Sequence, residues 1–531
     1  MSKDIFSNYI KKLYSNSRVD YNGDVNVNAN SSNKNAKLEI EKINMLKEIS
    51  RKLDKISQIQ TIPSQSKKLL MDISKSDPEL TTSVDIAIKN GMIVIPDVGI
   101  LSTNVYIKNG KIHSIGNHES IKANHIIDAT GKYVMPGIVE PHVHLGLFAP
   151  LEEELQSETK AALLGGITTI GCFFASKDSH LKTFPYTIEK IGSHSYTDIV
   201  PHLVISSEEQ RKEIRDYVKK LGVTSFKVYM NGIPGLIPDV DDGFILDVFD
   251  EIKECDNECI VCVHAENRYI VRRANRIIRE TKGINATIRD WTDTHPAIAE
   301  EEAIIRLSYL AEKSQVPVYI VHVSSKEAIN RLRSIKPYNK FINVETTSPY
   351  LSITNNCSDN FDIKMEPPFR SKEDVEALWK AVEDDIVDSI GTDNVTMTRS
   401  EKKMDKDLWS VVPGYAVLQT HLPVLLNEGV YKRKLKLEKL IGKITKKPAE
   451  IFGLYPRKGT ILPGSDADIA IVDINLSREV KAKDLSSRSD FSIYEGELLR
   501  GWPVTTIKSG EIVVDNGKFI GTRNTGKCLI R

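Results

Sequence analysis

The sequence has no excess of either charge sign: 72 Lys and Arg stand against 72 Asp and Glu, a formal net charge of zero. That balance removes any electrostatic argument for a nucleic acid or an anionic membrane as partner and favours a small-molecule substrate. Long apolar runs are missing too. No stretch approaches the ~18 uncharged apolar residues of a membrane span, and Met1-Ser-Lys-Asp-Ile lacks the apolar core of a secretory signal. A cytoplasmic protein without a membrane partner is predicted. Cysteine is scarce: six in 531 residues make no disulfide framework. Cys255, Cys259 and Cys262 lack the paired spacing of a zinc knuckle and read as reduced thiols in or near the core. What is present is 40% apolar content over a length that exceeds one hydrophobic core. A large domain with one or two smaller ones follows.

Residues 1–82 form an N-terminal extension. Asn22 to Asn35 is rich in Asn, Ser and Gly and reads as flexible. After it, Leu46, Ile49, Leu53, Ile56 and Ile59 recur at helical steps. That pattern predicts an amphipathic helix, docked on its own subunit or in a short coiled coil between subunits. From Ser83 the texture is short β, with Asn90-Gly91 and Asn109-Gly110 between alternating segments, a strong hairpin signal. A matching pattern returns in Asp466 to Asp473 and Thr506 to Gly517. Residues 83–135 and 455–531 are therefore expected to build one small β-sandwich from both flanks. Between them, over 136–454, eight strand-like runs alternate with helix-like ones such as Ser207 to Leu221 and Glu300 to Lys313. This is the α/β pattern of a (β/α)8 TIM barrel, whose chemistry sits at the C-terminal ends of the strands.

The first of those strands carries Pro141-His142-Val143-His144. Two histidines two residues apart on a strand point to one face and make half of a metal site. Polar residues end other candidate strands: Lys227 on the fourth, His264 on the fifth, His322 on the sixth and Asp393 on the eighth. Each alone reads as a hydrogen-bonded core histidine or a lysine paired with a carboxylate. Together they are a ligand set for two metals, provided that Lys227 is converted. An ammonium cannot coordinate, but a lysine can add to carbon dioxide and present a carbamate.

With these residues in place, the chain resembles the cyclic amidohydrolases of the amidohydrolase superfamily from about Ser83 to Phe519. It is nearest the dihydropyrimidinase and hydantoinase branch, with allantoinase and dihydroorotase as relatives. The motifs that carry the resemblance are Met135 to His144, Glu158 to Thr169, Ser225 to Met230, Val263-His-Ala-Glu-Asn267, Tyr319 to Ser325, Lys364 to Arg370, Gly391-Thr-Asp393 and Pro448 to Gly459. The resemblance implies a hydrolase that opens, or in reverse closes, a cyclic amide C–N bond. It implies two divalent ions, expected to be zinc, and carbon dioxide or bicarbonate to carboxylate Lys227. His142 and His144 would hold the buried metal, His264 and His322 the more exposed one, and carboxylated Lys227 would bridge them. Asp393 would bind metal and shuttle protons, in a homo-oligomer, dimer or tetramer. The alternatives are another ring specificity, allantoinase- or dihydroorotase-like, and a non-catalytic scaffold relative.

The substrate side departs from that family. Leu145-Gly146 follow His144 where dihydroorotases carry an arginine one residue further on; Gly232 stands where the hydantoinase branch has a tyrosine; Glu366 precedes the Pro-Pro pair where the family has a small residue or an amide. Glu366, Asn267 and Gly232 are the expected substrate contacts, Gly232 by opening room. An ionised Glu366 in a pocket needs a partner: Arg370, or a cation or cluster of N–H donors supplied by the substrate, as an amino, amidine or guanidine-bearing ring would.

Overall fold

The computed structural model describes residues 83–118, 120–233, 235–255, 258–356, 361–522 and 526–531. The predicted flexible segment and amphipathic helix of the N-terminal extension lie outside them.

The first strands are Ser83–Ile95 (β1), which opens with alternating exposed and buried residues, Gly99–Lys108 (β2), Lys111–Ile115 (β3), Lys122–Asp128 (β4), which has no buried residue, and Tyr133–Pro136 (β5), which is buried beyond its first residue. They join Ile469–Glu479 (β15), Leu498–Lys508 (β16), Glu511–Asp515 (β17) and Lys518–Phe519 (β18) in one sheet. The two flanks meet where β5 pairs antiparallel with β15. β1 pairs with β4 through its first half and with β5 through its second, so the sheet curls over a core of Ile86, Ile88, Val105, Ile107, Ile469 and Ile507. The β-sandwich built from both flanks is thus present. Asn109-Gly110 and Asn516-Gly517 turn β2 into β3 and β17 into β18, with both central residues at positive φ. That is the hairpin turn that matches strand twist. Asn90-Gly91 differs. It is a bulge inside β1, where a Cβ at Gly91 would meet Val134 Cγ2 at 2.6 Å. The strand runs on because both halves keep β2 as partner, and that long-range pairing overrides the local turn signal.

The second sheet is parallel throughout. Ile138–His144 (β6), Ile167–Phe174 (β7), Asp198–Val204 (β8), Ser225–Tyr229 (β9), Ile260–His264 (β10), Val318–Ile320 (β11) and Ile342–Thr347 (β12) neighbour one another in chain order. The eighth strand is split into Ser389–Gly391 (β13), which pairs with β12, and Asn394–Val395 (β14), which pairs with β6. This closes the barrel, with Asp393 in the break. Helices such as Leu151–Leu164 and Ala297–Ser314 pack outside, and the barrel strands are buried along nearly their whole length. The last residues leave the sandwich expected for 455–531: Ile199 donates to Lys527 O and accepts from Leu529, which ties the C-terminus to β8. The described cysteines, Cys172, Cys255, Cys259, Cys262 and Cys528, are free.

Candidate metal centre

All six residues singled out at strand ends come together. His142, His144, Lys227, His264, His322 and Asp393 line one cavity of about 1090 Å³ at the C-terminal mouth of the barrel. The pleat of β6 sends both of its imidazoles to this side. Their Nε2 atoms converge on Asp393 Oδ1, at 3.1 Å from His142 and 3.4 Å from His144. One ligand atom from each of the three lies within 4.8 Å of the other two. His142 stacks on His322 at 5.5 Å between ring centroids, and His322 meets His264 edge-on at 4.6 Å. His322 and Asp393 both hold left-handed backbone conformations, φ 44° and 53°. Non-glycine residues keep such a conformation only where the surroundings impose it, and such positions gather at functional sites.

Lys227 on β9 is fully buried, and its Nζ makes no hydrogen bond. It sits 4.7 Å and 4.9 Å from the ring centroids of Phe173 and Tyr229. Burial lowers its pKa to about 8, against the opposing pull of Cys262, Asp393 and Glu345. No carboxylate pairs with it among the described residues, so the salt-bridged alternative for this lysine does not hold. Burial disfavours an imidazolium at His142, yet Glu345 and Asp393 outweigh it and raise the pKa to about 9. Asp393 is held well below the carboxylate range; burial opposes this, and His142 and His144 overcome it. The slot between Glu345 and Asp393 thus calls for positive charge. Nε2 of His142, although near Asp393, is off the hydrogen-bond direction and unpartnered. Orphaned His142 Nε2 and Lys227 Nζ, four imidazoles and a carboxylate are what a pair of divalent ions would satisfy, so the residues present fit the group.

A second layer fixes the first. Glu345 on β12 takes His142 Nδ1 with both oxygens, at 3.0 Å and 3.2 Å, leaving Nε2 as the lone-pair nitrogen. Glu140, two residues before His142, accepts from His142 N at 3.0 Å and Thr392 N at 2.9 Å. It locks β6 to the residue beside Asp393. Burial, with the Glu345 carboxylate beside it, raises the Glu140 pKa to about 8. Glu266 accepts from His264 Nε2 at 2.8 Å and from His295 Nδ1 at 3.1 Å. Glu140 and Glu266 sit inside the motifs quoted above and Glu345 does not; none of the three is among the residues expected at the site. For Glu140 the signal was on the page: at i−2 from His142 it shares a strand face with both ligands. His295, a cavity residue 31 positions beyond its partner's neighbour His264, had no such signal.

The substrate-side expectations fare unevenly. Glu366 lines the cavity, is 9% exposed, and its Oε2 is buried without a partner. Arg370 is not that partner; it donates to Ser324 Oγ and His295 O. Asn267 does not line the cavity. It caps the helix Arg268–Lys282 by accepting from Tyr269 N and Ile270 N, and it donates to Glu302. Gly232 lines the cavity, but not as spare room. Its φ is +71°, and a Cβ there would lie 2.6 Å from Asp239 N and 2.8 Å from Ile237 O. The turn requires glycine.

The model of the amidohydrolase family matches residues 133–513. The D-hydantoinase of Geobacillus stearothermophilus is 31% identical over 463 residues, 84% of this chain and 96% of that protein. The L-hydantoinase of Paenarthrobacter aurescens is 29% identical over 463 residues, 84% and 98%. Among solved structures, L-hydantoinase (dihydropyrimidinase) from Arthrobacter aurescens superposes with TM-score 0.79 at 30% identity, covering 84% of this chain and all of that one. Dihydropyrimidinase from Brevibacillus agri gives 0.78 at 27% identity, covering 84% and 98%.

Proposed function

The chain belongs to the amidohydrolase family, and from that premise we propose that it hydrolyses the C–N bond of a cyclic amide with two divalent cations. His142, His144, Lys227, His264, His322 and Asp393 would hold them. The observation that carries this reading is Lys227 Nζ, buried without a partner between the Phe173 and Tyr229 rings in the cavity that the four histidines line. A bare ammonium there costs several kcal/mol. The ammonium first gives up a proton; addition of the neutral Nζ to carbon dioxide then forms an N–C bond and releases a second proton, which turns the misfit cation into an anion with two oxygens. When bound, the two cations, zinc in this reading, would supply Lewis acidity at the ring carbonyl and make water acidic enough to react near neutral pH.

The chain's own residues do the rest. Asp393 takes the proton of the attacking water as its oxygen bonds to the ring carbonyl carbon, and returns it to the ring nitrogen as the C–N bond breaks. Its carboxylate is ionised and stays close to both β6 imidazoles, which hold it in place. Glu345 and Glu266 fix the tautomers of His142 and His264. The cavity is large enough for a substituted five- or six-membered ring. Its wall is the divergent part, with Glu366 and Gly232 where relatives of the hydantoinase branch have other residues.

The reading includes a cytoplasmic homo-oligomer. Among the described residues no helix is long and apolar enough to cross a membrane. Ile298, Ile305 and Tyr309 stand exposed along one face of Ala297–Ser314, the kind of patch a subunit contact covers. The test is metal analysis of protein supplied with zinc and bicarbonate, followed by a panel of hydantoin, dihydrouracil and simple lactams. About two metals per chain and opening of at least one ring are expected. A folded protein with no more than trace metal would sink the proposal and favour the scaffold alternative.

A further inference from the structure

The helix Arg268–Lys282 turns one face to the cavity. Arg272, Asn275, Arg276 and Arg279 recur on it at three- and four-residue steps, and all four line the wall. Arginines on a helix are usually a solvated face balanced by acids, so the acids decide what these are for. Asp239 is shared by Arg268 and by Arg272, the latter at 2.5 Å. Arg276 reaches Glu280 at 3.3 Å, one turn on, with both side chains mostly in solvent. Among the described residues Arg279 pairs with no carboxylate. Its Nε donates to Asn275 Oδ1 at 2.7 Å, and its guanidinium lies over the Trp409 ring at 4.1 Å.

That arrangement prepares donors rather than using them. Trp409 is fixed by its own Nε1, which donates to Gly283 O at 2.7 Å, so the indole is a firm platform for the cation. One of the five guanidinium N–H groups is committed to Asn275. The same bond orients the amide: its oxygen faces Nε, which leaves its NH2 to donate elsewhere. Among the described residues neither that NH2 nor the two Nη groups of Arg279 make a hydrogen bond.

The wall nearby adds to the field. Lys364 Nζ donates to Leu408 O and Val411 O at 2.8 Å and 2.6 Å, and Trp291 Nε1 holds Met365 O at 2.8 Å, so the segment that carries Lys364 and Glu366 is rigidly mounted. The Lys364 ammonium is drawn to the Glu366 carboxylate and repelled by Arg279. Glu366 thus has its counter-charge, and His295 has Glu266. Outside the six proposed ligands and His295, four basic side chains of the wall, Arg272, Arg276, Arg279 and Lys364, stand against three acids, Asp239, Glu280 and Glu366. Asp407 does not line the cavity and accepts from Trp409 N and Ser410 Oγ on its own loop. The unmatched charge is Arg279, and an anion is what would meet it.

We propose that the ring substrate carries an arm ending in a carboxylate, which Arg279 and Asn275 receive at the mouth while the ring lies at the metal centre. This deepens the cyclic-amide reading and rests on it. The cavity, about 1090 Å³, lies above the roughly 300–1,000 Å³ of common small-ligand sites, so it has room for an arm beyond the ring. A carboxylate suits the unused guanidinium edge in shape as well as sign, since parallel N–H groups meet its two oxygens.

The test uses full-length protein supplied with zinc and bicarbonate. Its ligands are hydantoins with a carboxymethyl, 2-carboxyethyl or 3-carboxypropyl arm at C5, each set against the carboxamide of the same length. The members of a pair match in shape and differ in charge. Calorimetric Kd at neutral pH is the readout, replaced by kcat/KM for any pair that is opened. For at least one length the carboxylate should be favoured by about five- to fiftyfold at low salt, and by several-fold less at about 0.5 M, where exposed charges are screened. Arg279→Gln, a change at an exposed helix position that glutamine tolerates, should cut the preference to about twofold or less and leave carboxamide affinity nearly unchanged. Arg272→Gln, which removes a charge already matched by Asp239, should keep most of it.

Equal binding within all three pairs, no binding of any of the six rings, or a preference that survives Arg279→Gln would overturn the proposal. So would an equal loss in Arg272→Gln, which would show a general field and no site at Arg279, or tighter binding of a 3-aminopropyl hydantoin than of every carboxylate. Failure of every ring to open counts against the hydrolase reading instead, because the Arg279 test is a ratio of affinities.

Discussion

Gly391 leaves the least room of the described glycines, and Gly391→Ala tests how strictly the second layer of the proposed metal centre is needed. A Cβ at this residue would lie 2.1 Å from Glu345 Oε1 and 3.2 Å from Glu140 Oε1, where ordinary contact begins at 3.4 Å. Its φ is not in the left-handed region, so an alanine here fails by crowding alone. Glu345 is fully buried, and both of its oxygens are committed to His142 Nδ1. It has to move by about an ångström or push β13 outward. Overpacking of this kind costs about 1–3 kcal/mol of stability. Loss of an outer-shell carboxylate costs about 10–100-fold in metal affinity or activity. Gly391→Ala is therefore expected to melt several degrees lower and to surrender zinc to a chelating dye at about a tenth or less of the concentration that strips the parent. Glu345→Gln, which keeps the shape and drops the charge, should weaken zinc without the loss of melting temperature. An alanine variant with the parent's zinc affinity and turnover would show that Glu345 does not orient His142 in the way argued.

Asp393→Asn should keep the fold and cut turnover by roughly two to four powers of ten, measured on any ring that the parent opens; near-parent turnover would assign the proton to another group. Lys227→Ala should lose much of its metal by elemental analysis, and added small carboxylic acids should restore part of the activity by standing in for the carbamate. For Lys364, burial lowers the folded-state pKa from 10.5 to about 8, so the unfolded chain binds more protons between those values. Its contribution to stability therefore rises with pH across that window, and denaturant unfolding of the parent against Lys364→Met should show the difference moving in the parent's favour from pH 8 to 10.5. Gly232→Tyr should not add a hydroxyl to the cavity. It should unfold the turn against residues 237–239, seen as lower melting temperature and lost binding of every ring.

That the six proposed ligands share one cavity was legible because each lies on or just after a strand whose apolar run is readable, and the barrel rule converts the C-terminal ends of the strands into one mouth. His142, Lys227, His264, His322 and Asp393 are far apart in sequence yet needed no knowledge of contacts, only of which end of each strand faces the chemistry. The orienting carboxylates were harder, since a buried glutamate has no pattern of its own. Glu345 becomes visible only when its oxygens are seen against His142 on a strand 203 positions away. Local rules failed where long-range pairing took over, as at Asn90-Gly91, which has the same letters as the true turn at Asn109-Gly110 but continuous partners on β2.

Gly232 and Glu366 show the same limit at the substrate wall. Both were noticed as departures from a family pattern, which says that something changed and not what the change does. Sequence alone allowed Gly232 to be empty space and Glu366 to be half of an ion pair with Arg370. Backbone atoms of Ile237 and Asp239 fill the first space, and Ser324 with the His295 carbonyl claims the second partner. The divergence at these two positions therefore has different meanings. One is a loop that turns on glycine and has no side chain to offer, and the other is a rigidly mounted acceptor with no donor. Of these two positions, only Glu366 offers a side chain to the cavity.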